Sequence, residues 1–335
     1  MIKAIVTTTI NEPTEAILKY IEIAERDDWT IIIVGDKKTP HESYLKLAQE
    51  HGCLAYLTPA AQERKYKALS DLIGWNCIQR RNFGLIEAYN MGAEIIATID
   101  DDNIPYSDWG QNLAFGQNSP LAHFLVQDSL FDPLSVTSVS RLWHRGFPHE
   151  LLAQRTRVKF AGKKLLRGGR VLVQADLWDG EPDVDAVARI ALGPFDVRFE
   201  EEPYHADKPG PFNSQNTFLH RDAFPTYFLF PHIGRMDDIW ASYVLQKYFP
   251  GTVVYGRASV YQERNVHNLA RDLENELIGY KNTLALTKSL YSDNPGTDPE
   301  AWQGFLPDAA REAYAAYKAC FKSNLSTGNP QDAGA

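Results

Sequence analysis

Along residues 1–105, short runs of β-branched apolar residues alternate with stretches of helical spacing. Residues 2–8, IKAIVTT, form one such run. Asn11-Glu12-Pro13 then offers a cap and a first-turn proline for a helix that buries Ile17, Leu18, Ile21 and Ala24. Residues 30–34, TIIIV, are apolar without alternation, which suits a parallel strand covered on both faces, and Gly35-Asp36 ends it. Helical spacing returns at 42–51 and 59–72 around a strand at 53–57. A further helix at 77–91 leads into EIIATI at 94–99. The rhythm predicts an α/β fold, an open and mostly parallel sheet flanked by helices, whose ligands gather at the carboxyl ends of the strands. Beyond 105 the rhythm breaks. Residues 106–235 are rich in Pro, Gly, Trp and Phe, with short strands such as 170–174 and long connections. Helices resume at 237–248, 268–291 and 308–322, with a strand at 252–255. No repeat or linker divides the chain, so a single domain over 1–322 is expected, followed by a flexible tail at 323–335.

Composition narrows the class. The 335 residues are 44% hydrophobic and 23% charged, which fits a globular protein. A net charge of −9 argues against a nucleic-acid partner and against a polybasic membrane adaptor. It leaves room for a phosphate-bearing substrate held through a divalent metal. Cys53, Cys77 and Cys320 are too scattered for a disulfide framework. No run approaches the ~18 apolar residues of a transmembrane segment. A soluble, cytoplasmic protein is the expectation.

The strongest chemical signal is Ile99-Asp100-Asp101-Asp102-Asn103. Three consecutive carboxylates at a strand's end repel one another unless a cation sits among them, and a hard divalent ion is the natural occupant. In extended chain Asp100 and Asp102 fall on the same side. A solvated acidic turn is the plainer alternative. Asp36 closes the second strand at the same sheet edge, beside Thr8 and Asn11 from the first. A nucleotide across this edge meets Thr8 and Asn11 as hydrogen-bonding groups and Asp36 as an acceptor for base or ribose, although Asp36 alone reads equally as a turn residue. Neither GxGxxG nor GxxxxGK[ST] occurs. Arg80 and Arg81 precede the triplet on a helix and point about 100° apart. At most one of them faces the cleft, where a guanidinium can clamp a pyrophosphate; the other is solvated or ion-paired.

Three later stretches add candidates. Trp178-Asp179, in the turn-rich WDGEPD, reads as an exposed sugar or acceptor platform, or as a plain loop. Arg235-Met236-Asp237-Asp238 opens a helix whose dipole favours both carboxylates whatever they do. The functional alternative makes Asp237 or Asp238 a general base toward an acceptor hydroxyl, with Arg235 on the acceptor side. His267, after the last strand, can complete a metal shell or serve structure alone. The basic stretch 155–170 suits a solvated loop or an edge strand. No serine or cysteine nucleophile motif occurs.

Several stretches together, IVTTTINEPT, IIIVGDKKTP, GWNCIQRRNFG, IATIDDDN, RGFPHELL, QADLWDGEPDVDA, FNSQNTF, RMDDIW and YQERNVHN, resemble the STELLO-type glycosyltransferases, within the nucleotide-sugar glycosyltransferases of the GT-A fold. A more distant similarity is to the reversibly glycosylated polypeptides, which carry a comparable DDD triplet and include UDP-arabinopyranose mutases. The resemblance covers roughly residues 2–280. It implies a Rossmann-like nucleotide-binding half at 1–105, an acceptor and catalytic half at 106–280, and C-terminal helices at 281–322. By it, Asp100 and Asp102 would hold Mn2+ or Mg2+ against the donor diphosphate with His267 as third ligand. Asp101 would lie nearer the ribose or sugar, and Asp238 would be the base of an inverting transfer. The activity implied is metal-dependent transfer of a hexose or pentose from a UDP-sugar to a glycan or small-molecule hydroxyl. Two alternatives stand beside it. One is a nucleotide-sugar mutase or self-glycosylating protein, with Arg80 or Arg81 as the glycosylated residue. The other is a non-catalytic nucleotide-sugar-binding scaffold.

Overall fold

The structure is a computed structural model that describes residues 1–117, 119–263, 268–292 and 298–322. Its strands are β1 (Lys3–Thr9), β2 (Trp29–Gly35), β3 (Leu54–Leu57), β4 (Ile95–Ile99), β5 (Asn103–Pro105), β6 (Leu121–Val126), β7 (Val158–Lys164), β8 (Val173–Gly180), β9 (Tyr204–Ala206), β10 (Asn216–His220) and β11 (Val253–Gln262). The helices are α1 (Glu15–Asp27), α2 (His41–Glu50), α3 (Pro59–Ile73), α4 (Arg81–Asn90), α5 (Ala186–Leu192), α6 (Asp237–Tyr248), α7 (Leu269–Leu290) and α8 (Asp308–Lys322).

All eleven strands join one sheet in the order β3-β2-β1-β4-β10-β8-β11-β9-β6-β7, with β5 paired to β11. Strands β3, β2, β1 and β4 are parallel neighbours. Strand β10 runs antiparallel between β4 and β8, and β8 is parallel to β11. Six of the seven strands from β3 to β11 therefore point the same way, and the expected mixed α/β class with a mostly parallel central sheet is what the chain forms. The burial of Ile31 to Val34 explains the unbroken apolar run in β2. Helix α4 lies close on the sheet because Gly84 has no side chain: a Cβ there would stand 2.3 Å from Val6 Cγ1.

Local details depart from the sequence expectation where side chains choose differently. Helix α1 is capped by Thr14, whose hydroxyl accepts from the Ile17 amide, and not by Asn11. Leu18 faces solvent while Ile17, Ile21 and Ala24 are buried. The helix expected over 77–91 is a 3-10 turn at Ile78–Arg80 followed by α4. The strand expected at 170–174 lies later, as β8, and the one at 252–255 extends to Gln262. Strands β6, β7, β9 and β10 were hidden in the irregular half, and β5 follows directly on the acidic triplet. The basic stretch contains β7, an edge strand at the end of the sheet. Among the described residues no helix is long and apolar enough to cross a membrane. His267 and the tail from 323 lie outside the described residues.

Candidate active site

The carboxyl ends of β4 and β11 and the head of α6 enclose a cavity of about 480 Å³, within the range of small-molecule sites. The triplet turns sharply between β4 and β5. The Asp100 amide donates to the Gln215 carbonyl at 3.2 Å, and the Glu263 amide, just past β11, donates to the Asp102 carbonyl at 3.3 Å. Asp100 and Asp102 line the cavity. Asp101 turns the other way, accepting from the Thr9 hydroxyl and from Asn11 Nδ2 at 2.9 Å, while its carbonyl accepts from Thr14 Oγ1 at 2.6 Å. The turn, closed by the Asn103 amide donating to the Asp100 carbonyl at 3.4 Å, and not the extended chain the sequence suggested, separates the middle carboxylate from its two neighbours.

Arg81, at the start of α4, ties this turn to β10. Its guanidinium donates to Asp100 Oδ1 at 2.5 Å and to both the carbonyl and hydroxyl of Ser214 at 2.8 Å. Arg80 points into the fold. Fully buried, it donates to Gln62, Ser70 and the Gly74 carbonyl and stacks on Trp75 at 3.5 Å, so the structure sets it apart from the cleft as a structural cation. Thr8 donates to the Val34 carbonyl at 2.7 Å and Asn11 is exposed at the rim. Asp36 is buried and clamps a loop: its carboxylate accepts from the amides of Lys37, Asn76 and Cys77 at 2.6–2.9 Å. Asn76 and Cys77 in turn line the cavity, so Asp36 acts on the site through their backbone.

The opposite wall is the head of α6. Asp238 accepts from the Ser214 amide at 2.9 Å, the Ser214 hydroxyl at 3.1 Å and Arg145 at 3.2 Å. Asp237 accepts from Gln79 Nε2 at 2.8 Å. Burial, and then the neighbouring Asp238 charge, push the Asp237 carboxyl up to about 7. Arg145 bonds Asp183 at 2.9 Å as well as Asp238 and the Arg235 carbonyl. Burial works against its charge, but the two carboxylates hold it firmly protonated. The residue after it is necessarily glycine: Gly146 has φ +76°, and a Cβ there would sit 2.2 Å from Ile239 Cγ2. That close approach lets the Arg145 loop press on α6. Arg235 donates to Glu276 at 2.9 Å and lies 3.7 Å from Asp272.

The Trp178-Asp179 platform is corrected. Trp178 is 3% exposed, edge-on to His144 with ring centroids 5.8 Å apart. Asp179 is buried and accepts from Tyr106, Arg198 and the Phe199 amide. Both sit near the carboxyl end of the buried strand β8, where hydrophobic packing and hydrogen bonding within the protein take precedence over ligand contact, and neither lines the cavity. Asp183, the last carboxylate of that acidic stretch, does line the cavity. The residues the sequence reading missed are Arg145, Gln79, Ser214 and Gln215, and all four fall in stretches quoted for the resemblance, which was the available signal.

The donor set suits a hard divalent cation. Asp100 and Asp102 both line the cavity, and Mg2+ or Mn2+ bound with a diphosphate commonly takes only one or two protein carboxylates besides waters and phosphate oxygens. Among the described residues no three His, Cys, Asp or Glu side chains form a ready-made metal cage.

No protein-family model matches the chain, and no curated protein matches it in sequence. Solved structures with a similar arrangement include mannosyl-3-phosphoglycerate synthase from Rubrobacter xylanophilus (TM-score 0.47, 12% identity, covering 90% of this chain and 80% of that one). Another is glucosyl-3-phosphoglycerate synthase from Mycobacterium tuberculosis in complex with phosphoglyceric acid (0.42, 14%, 86% and 79%). A third is a mannosyltransferase from Pyrobaculum calidifontis in complex with GDP-Man and Mn2+ (0.39, 12%, 98% and 76%). Scores at this level leave the functional reading to the site's own residues.

Proposed function

We propose that this protein is a GT-A-type, STELLO-like glycosyltransferase that moves a sugar from a nucleotide-sugar donor, UDP-linked in the first instance, to a hydroxyl acceptor. The observation that carries the reading is the meeting, in one cavity, of the β4-end carboxylates Asp100 and Asp102 with the α6-head carboxylates Asp237 and Asp238. The two pairs have different chemical characters. Asp100 is restrained by Arg81 at the strand ends where nucleotides gather. A divalent cation held by Asp100 and Asp102 would offset the charge of the departing diphosphate.

At the other wall Asp238 is anchored by Ser214 and Arg145, which leaves its lone pairs engaged. Asp237 accepts one side-chain hydrogen bond and has a proton affinity suited to neutral pH. We therefore give Asp237 the role of proton acceptor and Asp238 that of its positioning partner. The acceptor oxygen bonds to the sugar's anomeric carbon, the bond from that carbon to the diphosphate oxygen breaks with its electron pair, and the hydroxyl proton passes to Asp237. A single displacement of this kind inverts the anomeric centre. The mutase alternative needs a nucleophile presented to the donor. Arg80 and Arg81 are both buried and committed to protein partners, which weighs against either as a glycosylation site.

Calorimetry with UDP and Mn2+, together with turnover of labelled nucleotide sugars, tests the assignment. Asp102→Ala should lose nucleotide binding, whereas Asp237→Asn should bind UDP as wild type does and lose transfer. Wild-type UDP affinity in Asp102→Ala would refute the donor site.

A further inference from the structure

A different metal chemistry lies outside the cavity, where β6 and β9 meet. These strands are parallel neighbours, with His123 directly opposite His205. Cross-strand partners stand about 4.8 Å apart and project to the same face of a sheet, so the pairing itself brings the two imidazoles together. Their Nδ1 atoms are 3.3 Å apart and their ring centroids 4.5 Å apart, with the planes inclined at 35°. Centroids that close mean rings set side by side and not end to end, an arrangement in which both nitrogens can meet one ion. His123 is 8% and His205 2% exposed, and the neighbouring β7 carries exposed Lys163 and Lys164, so the pair lies just beneath the surface. Neither histidine lines the candidate active site.

The tautomers decide what the pair can hold. His205 Nε2 lies 3.2 Å from the Lys164 carbonyl, which only accepts, so in the neutral ring Nε2 carries the proton and Nδ1 a lone pair. Without an ion, His123 Nδ1–H donates to that lone pair. Moving the His123 proton to Nε2 frees a second lone pair beside the first, at the cost of one hydrogen bond. An imidazole whose far N–H is held by a backbone carbonyl is the usual form of a metal ligand. Two nitrogens bound at about 2.0–2.1 Å to a tetrahedral Zn2+ lie about 3.3–3.4 Å apart, which is the separation of this pair. Burial and the Lys164 ammonium oppose positive charge at His123, and the Asp207 carboxylate favours it. Asp207 is itself fixed in place by the Val126 amide at 2.8 Å.

We infer that His123 and His205 form a binding site for a borderline divalent transition metal, Zn2+ in the first instance, which clips β6 to β9. Among the described residues no third His, Cys, Asp or Glu side chain joins them, so water fills the remaining positions and the ion exchanges readily. The clip falls where the sheet is thinly joined. Strand β9 meets β11 through the single pair Tyr204 and Tyr255, and meets β6 through three residue pairs. Imidazole nitrogen prefers Zn2+, whereas carboxylate oxygens such as those of Asp100 and Asp102 suit Mg2+, so the two ions separate the two sites.

The test is calorimetric titration of the untagged full chain with ZnCl2, in excess Mg2+ to occupy the carboxylates. Wild type should bind Zn2+ in the micromolar range, and His123→Gln and His205→Gln should each weaken that binding at least about tenfold. Zn2+ should raise the Tm of wild type and leave that of His123→Gln unmoved. Co2+ in place of Zn2+ should give wild type the intense visible bands of a tetrahedral site, a readout that stands even if a variant fails to fold. Absence of those bands, failure of wild type to bind Zn2+, or wild-type affinity in either folded variant overturns the inference. Asp102→Ala should bind Zn2+ as wild type does; loss of Zn2+ there would place the ion in the candidate active site and overturn the inference as well.

Discussion

Asp237→Asn reads the site through stability as well as turnover. The Asp237 side chain is 5% exposed and is pushed up to about 7, first by burial and then by Asp238, from an ordinary value of 3.8. Below that ordinary value the carboxyl is protonated in the folded and unfolded chain alike and contributes nothing. As pH rises toward 7 the unfolded chain releases the proton while the folded protein retains it, so stability falls. Above about 7 the penalty is complete. At about 1.4 kcal/mol for each tenfold change in proton affinity, its ceiling is about 4 kcal/mol. Relaxation around Asp238 lowers the expected value to about 2 kcal/mol. Asparagine never ionises and keeps an oxygen for the Gln79 amide. The variant should therefore exceed wild type by about 2 kcal/mol at about pH 8 and match it near pH 4. Urea unfolding followed by tryptophan fluorescence across that range gives the difference directly. A gain independent of pH, or no gain in alkaline buffer, would refute the claim that a strained, desolvated carboxyl sits at the head of α6. Transfer should be lost in the same variant, the exchange of stability for function expected of a buried proton acceptor.

Arg145→Met leaves Asp183 and Asp238 buried without their shared cation and should cost about 3–5 kcal/mol in urea unfolding; a loss under about 1 kcal/mol would mean the network does not hold α6. Arg80→Ala removes the stack on Trp75 and the bonds to Gln62 and Ser70, so its melting temperature should fall while UDP affinity of the folded protein stays unchanged, and a selective loss of UDP binding would return Arg80 to the cleft. Trp178→Ala should cost about 3–5 kcal/mol as a core cavity with acceptor KM unmoved, whereas a KM effect without destabilisation would restore the platform reading.

What the sequence disclosed depended on the range of the interactions involved. The parallel half of the sheet was legible because each strand advertises itself locally: Ile31 to Val34 form an apolar run whose neighbours need not be known. The triplet was legible for the same reason, whereas the division of Asp100 and Asp102 from Asp101 arises from a turn between β4 and β5 and not from the extended chain on which the expectation rested. The irregular half was not. Strand β10 carries Asn216 and Thr217, whose polar side chains are buried through bonds to Trp109 and Asn213 and so do not look like a central strand. Trp178-Asp179 misled because turn-forming residues follow it in sequence, while in space the indole is covered by His144 and Phe199.

Arg145 is the clearest case of chemistry that local pattern cannot show. Its partners Asp183 and Asp238 lie 38 and 93 residues away, and nothing around Arg145 distinguishes a buried clamp from a solvated arginine. The glycine beside it carries the missing information, because only a residue without a Cβ lets that loop reach Ile239, one position beyond Asp238. The anchoring of Asp238 and the raised proton affinity of Asp237 are thereby linked. Arg145 and Ser214 fix one carboxylate in place, and burial, then the charge of that neighbour, makes Asp237 reluctant to ionise. Two adjacent aspartates at a helix head, which the dipole alone would favour equally, are separated into an anchor and a proposed base by a contact between residues 93 positions apart.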